Sequence, residues 1–339
     1  MRVLIPAFLS AACHTIVADP LKQPEVTSPS SLPPADCRSI EHQAGKTELC
    51  GQPQRIVTLG PSALEHLLAL EMQPIGFSDH VAFHQGDYDN PRQQIPYLGS
   101  HITQPLINLG VAERPSLEAI LKAEPDLIIG TEFQSAQYEV LSEIAPTIVL
   151  NREASTESLT IVAQAVDRTE QAEALLIGTE QRIVSTRETL APVIASHPKV
   201  LLLVATQLQE IVLGQSHPSC SSPIEAMGFQ LVSPPTLDNV TPDVWTPISL
   251  ETLPGLNDAD LVIILGANLS SLEGNDNFED HQLSGLKQAW EENAIAQSLD
   301  ASKAGRVYFI PVYLCAGLPG PIGTELYLKR LQKQLLAPD

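Results

Sequence analysis

Five cysteines, nine histidines and a few well-placed serines, arginines and glutamates are the residues of this chain that could do chemistry. His80 and His84 stand one helical turn apart, with His101 further on; joined by a carboxylate, such residues would hold a transition metal. Their surroundings, FSDHVAFHQGDYDNPRQQIPYLG, read mostly as loop, and no acidic residue stands at matching spacing. His84 is therefore read as lining a ligand cleft, with no metal bound directly. Nucleophilic catalysis fares no better. Ser62 and His66 fall on one predicted helix without a third partner, and GQSHPS at 214–219 lacks the second glycine of a nucleophile elbow. No P-loop or GxGxxG follows a strand, and neither CxxC nor a Cys/His zinc spacing occurs. The expectation is a protein that is not an enzyme and carries no cofactor.

Composition narrows the partners. Nineteen basic against forty acidic side chains leave a net charge of −21, which disfavours nucleic acid and anionic membrane surfaces. No apolar run is long enough to span a bilayer. Met1 and Arg2 lead through VLIPAFLSAA to Cys13, which resembles a bacterial lipoprotein signal. Cys13 would then carry the lipid after cleavage and anchor the protein in the periplasm or at the cell surface; the alternative is an ordinary cleaved signal. Export implies an oxidising compartment. Cys37 and Cys50 are near neighbours and are expected to bridge, whereas Cys220 and Cys315 can pair only if the fold brings them together.

The elements that must position these groups follow in order. Residues 14–34 form a Pro/Ser-rich tether, and CRSIEHQAGKTELCG reads as a hairpin with a Gly-Lys turn. RIVTLGPSALEHLLAL reads as strand, break and helix, with Ser62 at the N-cap. Aliphatic runs alternating with helical text over 35–156 describe an α/β lobe with a largely parallel sheet. Residues 157–197 form a connecting helical segment, in which Leu176, Ile183 and Leu190 recur at seven-residue steps. The alternation restarts at 198 and runs to 339 as a second α/β lobe, in which Trp290 is expected on a surface helix. SLEAILKAEPDLIIG at Ser116–Gly130 is nearly repeated by SLETLPGLNDADLVIILG at Ser249–Gly266. The repeat marks corresponding units of two similar lobes.

PQRIVTLGPSALEHLLALEMQPIGFSD, PSLEAILKAEPDLIIG, the 157–190 segment, SPIEAMGFQLV and WTPISLETL, in this order, resemble the substrate-binding proteins of ABC transporters that deliver ferric siderophores, haem or cobalamin. The opening hairpin, with His42, Gly45 and Thr47, is most similar to the iron-siderophore members. The resemblance implies two Rossmann-like α/β lobes joined by one long rigid helix, with a ligand cleft between them, in a monomer. It further implies that Glu118 and Glu251, the third residue of each repeat, dock onto arginines of an inner-membrane permease served by its ATPase. The first turn of a helix also favours an acidic residue through its dipole, and the two roles are compatible.

Ligands of α/β lobes bind at the carboxyl ends of strands. That rule points to Ser62, Thr131 and Gln215, and to Tyr313 after the last strand. The resemblance adds Trp245 as a cleft aromatic. For cations, the first lobe offers Arg92 and Arg114. Arg114 stands two residues after Ala112, the position where hydroxamate-binding relatives carry an arginine. Between Lys199 and Lys287 there is no lysine or arginine, so only the stretch near Arg306 could serve the second lobe. A trianionic tricatecholate would need several buried cations. The expected ligand is therefore a ferric siderophore of hydroxamate or citrate-hydroxamate type, with iron arriving only inside its chelator. Haem, cobalamin or a sensory role on the same lobes are the alternatives; a hydrolase is the more distant one.

Overall fold

The computed structural model describes residues 36–80, 86–234, 246–268 and 277–337. It begins with an antiparallel hairpin, β1 (Cys37–His42) and β2 (Gly45–Cys50), closed by the Cys37–Cys50 disulfide. His42 pairs with Gly45, so the turn falls at Gln43–Ala44 rather than at Gly45–Lys46. Gly45 instead supplies the positive φ of 136° at which the chain re-enters its strand.

The first lobe is built on β3 (Ile56–Leu59), β4 (Gly76–Asp79), β5 (Ile107–Val111), β6 (Arg114–Pro115), β7 (Leu127–Thr131) and β8 (Thr147–Leu150), in the order β6-β5-β4-β3-β7-β8. All pairings are parallel except the short β6 at the edge. β3, β7 and β8 are rich in aliphatic residues and buried throughout because helices cover both faces of a parallel sheet, whereas β4 reads Gly-Phe-Ser-Asp. The helices are α1 (Pro61–Ala69), α2 (Pro91–Gln94), α3 (Leu117–Ala123), α4 (Tyr138–Ile144) and α5 (Ser155–Val166).

The segment expected as one connector divides in two. Asp167 adopts a left-handed conformation, φ 56°, and ends α5; α6 then runs unbroken over Thr169–Ser196, 28 residues or about 42 Å. Asp tolerates that conformation better than most residues, so the break needs neither glycine nor proline. Leu159, Val162 and Val166 of α5 are buried against Ile56, Leu127 and Ile148, which makes α5 part of the first lobe. On α6, Leu176 packs on that same core, whereas Ile183 and Leu190 pack on the second. One apolar stripe thus fastens the helix to both lobes.

The second sheet contains β9 (Lys199–Ala205), β10 (Ile211–Leu213), β11 (Gln230–Leu231), β12 (Pro247–Ile248), β13 (Leu261–Gly266) and β14 (Val307–Pro311). Its order is β12-β10-β9-β13-β14, with β11 pairing β9. Its helices are α7 (Pro218–Ala226), α8 (Phe278–Leu283), α9 (Leu286–Glu292), α10 (Asp300–Lys303) and α11 (Pro321–Leu335). The duplicated motif occupies equivalent slots: β7 lies between β3 and β8, and β13 between β9 and β14. The helices before these strands differ. Ser116 caps α3 by accepting from Ala119 N at 3.2 Å, while Pro254 accompanies a 3-10 turn over Leu250–Leu256.

Two expectations are corrected here. Trp290 does not face solvent: it is 1% exposed, packs among Leu256, Leu286 and Ile264, and donates from Nε1 to Ser302 Oγ at 3.2 Å. α9 presents that one face to the core. Arg306 precedes β14 at the amino end of the sheet, where its Nε donates to Asp260 O at 2.8 Å. It cannot reach the carboxyl ends of the strands.

A second disulfide joins Cys220 of α7 to Cys315 beyond β14, both buried in the second core. Its sequence separation is 95, against 13 for Cys37–Cys50. By chain entropy the long bridge stabilises by about 4–5 kcal/mol and the short one by about 3 kcal/mol. Denaturant unfolding of Cys220→Ser/Cys315→Ser is expected to show the larger loss, and non-reducing peptide mapping should recover both pairs. Equal losses would contradict the loop-length argument.

Candidate ligand-binding cleft

The carboxyl ends of both sheets meet around a cavity of about 290 Å³. From the first lobe come His80 after β4, Glu113 in the β5–β6 turn, Phe133 after β7, and Arg152 and Glu153 after β8. From the second come Val204 on β9, His217 at the N-cap of α7, Ala267 after β13, and Val312, Tyr313 and Ala316 after β14. One wall is charged and aromatic; the other is mostly apolar.

Phe133 organises the charged wall. The Arg152 guanidinium lies 4.5 Å from the centre of its ring, within cation–π reach, and the His80 ring lies 5.3 Å away. Each basic group has its own carboxylate. Arg152 Nε meets Glu132 Oε1 at 2.6 Å, and His80 Nδ1 meets Glu113 Oε1 at 3.2 Å. The His80 hydrogen bond holds Glu113 below the usual glutamate range. His217 Nδ1 lies 3.9 Å from Glu153 Oε1, a contact made across the lobes. Arginine on this wall can orient an oxygen-rich ligand, but its charge is already offset by Glu132.

Behind the wall sits Asp79, 2% exposed. Its Oδ1 accepts from His80 N at 2.7 Å and from the Tyr313 hydroxyl at 3.5 Å, linking one residue of each wall. Burial pushes its carboxyl up to about 7. Gln134 is fully buried, accepts from Thr131 N at 2.8 Å and donates to Ala112 O, fixing the turn that carries Phe133.

Of the expected site residues, Tyr313 lines the cavity. Thr131 is buried and supports the Phe133 turn through Gln134. Ser62 is not the N-cap of α1, a place taken by Gly60; it lies inside the helix, 1% exposed, with its hydroxyl enclosed. Gln215 falls in the 3-10 turn Gly214–Ser216, just before His217. Arg92 is exposed on α2 and Arg114 is exposed on edge strand β6; neither lines the cavity. His84, Trp245 and Cys13 lie outside the described residues. Two cavity residues lie outside the set picked by strand ends: Arg152, which directly follows PTIVLN, and His217, which the sequence marks only within GQSHPS. Among the described residues no group of three or more His, Cys, Asp or Glu could hold a metal ion.

Glu118 and Glu251 are exposed, each in the first turn of its repeat. Glu118 pairs with Lys122 at 2.7 Å; Glu251 is held below its usual range by its own backbone N–H and by Ser249. Register puts both repeats beside the cleft edge of their sheets. Arg114 of β6 faces Val111, the last residue of β5, and Ile248 of β12 faces Ile211, which in turn faces Ala205 at the end of β9.

Two α/β lobes on mixed, largely parallel sheets, a single bridging helix and an interlobe pocket define a bilobal ligand-binding protein. The chain belongs to the family described as Periplasmic binding protein, which matches residues 56–314; this is a family of binding proteins, not of enzymes. It is 24% identical over 312 residues to the Putative ABC transporter substrate-binding lipoprotein YhfQ of Bacillus subtilis, covering 88% of each chain. It is 28% identical over 290 residues to the Fe(3+)-citrate-binding protein YfmC of the same organism, covering 80% of this chain and 78% of that one. Among solved structures, Staphylococcus aureus SirA complexed with staphyloferrin B aligns with a TM-score of 0.69 and 20% identity, over 88% of this chain and 98% of that one, which speaks to the fold.

Proposed function

We propose that this chain is the substrate-binding component of an ABC importer. It captures a ferric siderophore between its lobes and presents it to an inner-membrane permease through Glu118 and Glu251. Family membership supports the binding role, and the relatives named for ferric citrate and for ABC transport support iron as cargo. The protein works as a monomer in the periplasm or at the cell surface, held there by a lipid on Cys13. No nucleic acid takes part.

The charge of the cleft carries the choice of ligand. Arg152 is the one arginine lining the cavity among the described residues, and Glu132 already pairs with it. Glu113 and Glu153 add two further carboxylates. A trianionic complex would bury its charge against this surface without compensation. A neutral or weakly anionic ferric complex, of hydroxamate or citrate-hydroxamate type, meets no such cost. Phe133 and Tyr313 offer it aromatic faces, Thr131 holds the Phe133 turn through Gln134, and His84 and Trp245 are its further contacts.

Titration separates the ligand classes. Saturable quenching of tryptophan fluorescence is expected with ferric hydroxamates, and weaker binding with ferric tricatecholates. Trp290 is sealed in the second core, so Trp245→Phe should remove most of the signal. Tight binding of haem or cobalamin with no response to ferric hydroxamates would overturn the reading. Mass spectrometry of ligand co-purified from iron-poor culture would name the cargo.

A further inference from the structure

The lobes meet at more than the bridging helix. Leu64, Leu68 and Phe77 of the first lobe pack with Tyr313 and Leu318 of the second in one buried cluster. Within this apolar junction lies an acid. Glu65 of α1 has no exposed surface, and its carboxylate reaches across to the amino end of α11. Oε2 accepts from Gly320 N at 2.8 Å and Oε1 from Gly323 N at 2.6 Å. The N-cap of α11, Gly320, has no side chain to offer, so a residue of the other lobe caps the helix. The His66 ring closes the far side: a Cβ on Gly320 would come within 2.8 Å of it.

We propose that this cap is a proton-sensitive latch, in which the charge on Glu65 sets how firmly the first lobe holds the 313–323 segment and the tyrosine wall it carries. The proposal does not depend on which ligand the cleft takes.

Among the described residues no cation pairs with Glu65. β3 and β7, packed beneath α1, carry no titratable side chain. On β4, Asp79 is committed to His80 N and the Tyr313 hydroxyl. On α11, Glu325 pairs with Arg182 and Lys329, and Arg330 pairs with Glu279. Glu157 on α5 is exposed. His66 is buried and pushed down to about 4, so it is neutral near pH 7. Burial therefore dominates and lifts Glu65 to about 7, against the opposing pull of the Gly323, Gly320 and Ile322 N–H groups.

The sign follows by linkage. An acid whose docked pKa exceeds its free value binds more protons docked than undocked, so protonation favours the closed latch. The junction is firm below the free glutamate pKa and weakens as pH rises through about 7. Asp79, also raised to about 7 by burial, meets the Tyr313 hydroxyl and not the Gly320 or Gly323 amide, so the exchange of those two amides reports on Glu65.

Hydrogen exchange at the Gly320 and Gly323 amides of the ligand-free protein tests this, once corrected for intrinsic pH dependence. Protection is expected to fall about tenfold between pH 6 and pH 8. In Glu65→Gln, which cannot titrate, protection at these amides should be independent of pH whatever its absolute level. Asp79→Asn should leave the fall in place. A flat wild-type profile overturns the proposal even if Glu65→Gln does not fold, and so does an undiminished fall in Glu65→Gln. Failure of every ferric ligand to bind would overturn the transport reading and leave this one standing.

Discussion

Cells carrying the Glu118→Ala/Glu251→Ala double variant are expected to lose nearly all uptake of the ferric ligand, while the purified protein binds that ligand as the wild type does. Both glutamates are exposed and neither lines the cavity, so their removal leaves the cleft intact. A carboxylate that meets arginine can form a bidentate, charge-assisted pair, and each such pair is worth on the order of tenfold in docking affinity. One pair per lobe also lets a permease sense both lobes at once, so the double variant should fall further than either single. Lys122 competes for Glu118 in the free protein, so Lys122→Ala should leave docking undiminished or strengthen it. Uptake of labelled ferric complex, set beside calorimetric affinity, separates the two effects. Normal transport by the double variant would mean that these residues serve only the first turns of their helices.

What could be read before the fold was known depended on how local its cause is. The aliphatic strands, the duplicated motif and the stripe of Leu176, Ile183 and Leu190 declare themselves by composition and period, because burial on both faces or on one face dictates residue type directly. The break at Asp167 was not legible, since a left-handed aspartate leaves no mark comparable to glycine or proline. The face of α9 that turns Trp290 inward depends on packing against α10 and β13, which lies outside any short window. The site was harder. Tyr313 follows a strand end and could be chosen by rule, and the same rule properly applied reaches Arg152. Arg92 rests on charge alone and Arg114 on charge and a family position two residues away, and exposed cations need not face a cleft. Glu65 gave no signal: it occupies one position of an apolar helix, and its partners, the Gly320 and Gly323 amides, lie some 255 residues away.

Arg152→Ala is expected to weaken binding of a carboxylate-bearing ferric hydroxamate by on the order of a hundredfold, and of a neutral ferric trihydroxamate by much less. Arg152 is mostly buried, lies over Phe133, and is bonded to Glu132 at 2.6 Å. Truncation removes the cation and leaves Glu132 as an uncompensated carboxylate near the ligand; losing one member of such a pair costs about 2–5 kcal/mol. Two contributions are mixed in that loss, and a second variant separates them. In Arg152→Ala/Glu132→Gln the stranded charge is gone, so the neutral complex should recover and the anionic one should not. Arg152→Lys should rescue poorly, because a lysine lacks the planar guanidinium that lies over Phe133 while its Nε donates to Glu132 Oε1. The loss should appear mainly in the dissociation rate, measured by displacement after mixing with excess competitor. If all ligands bind Arg152→Ala as they bind the wild type, Arg152 only ties the turn after β8 to the turn after β7, and the ligand must take its orientation from elsewhere in the cleft.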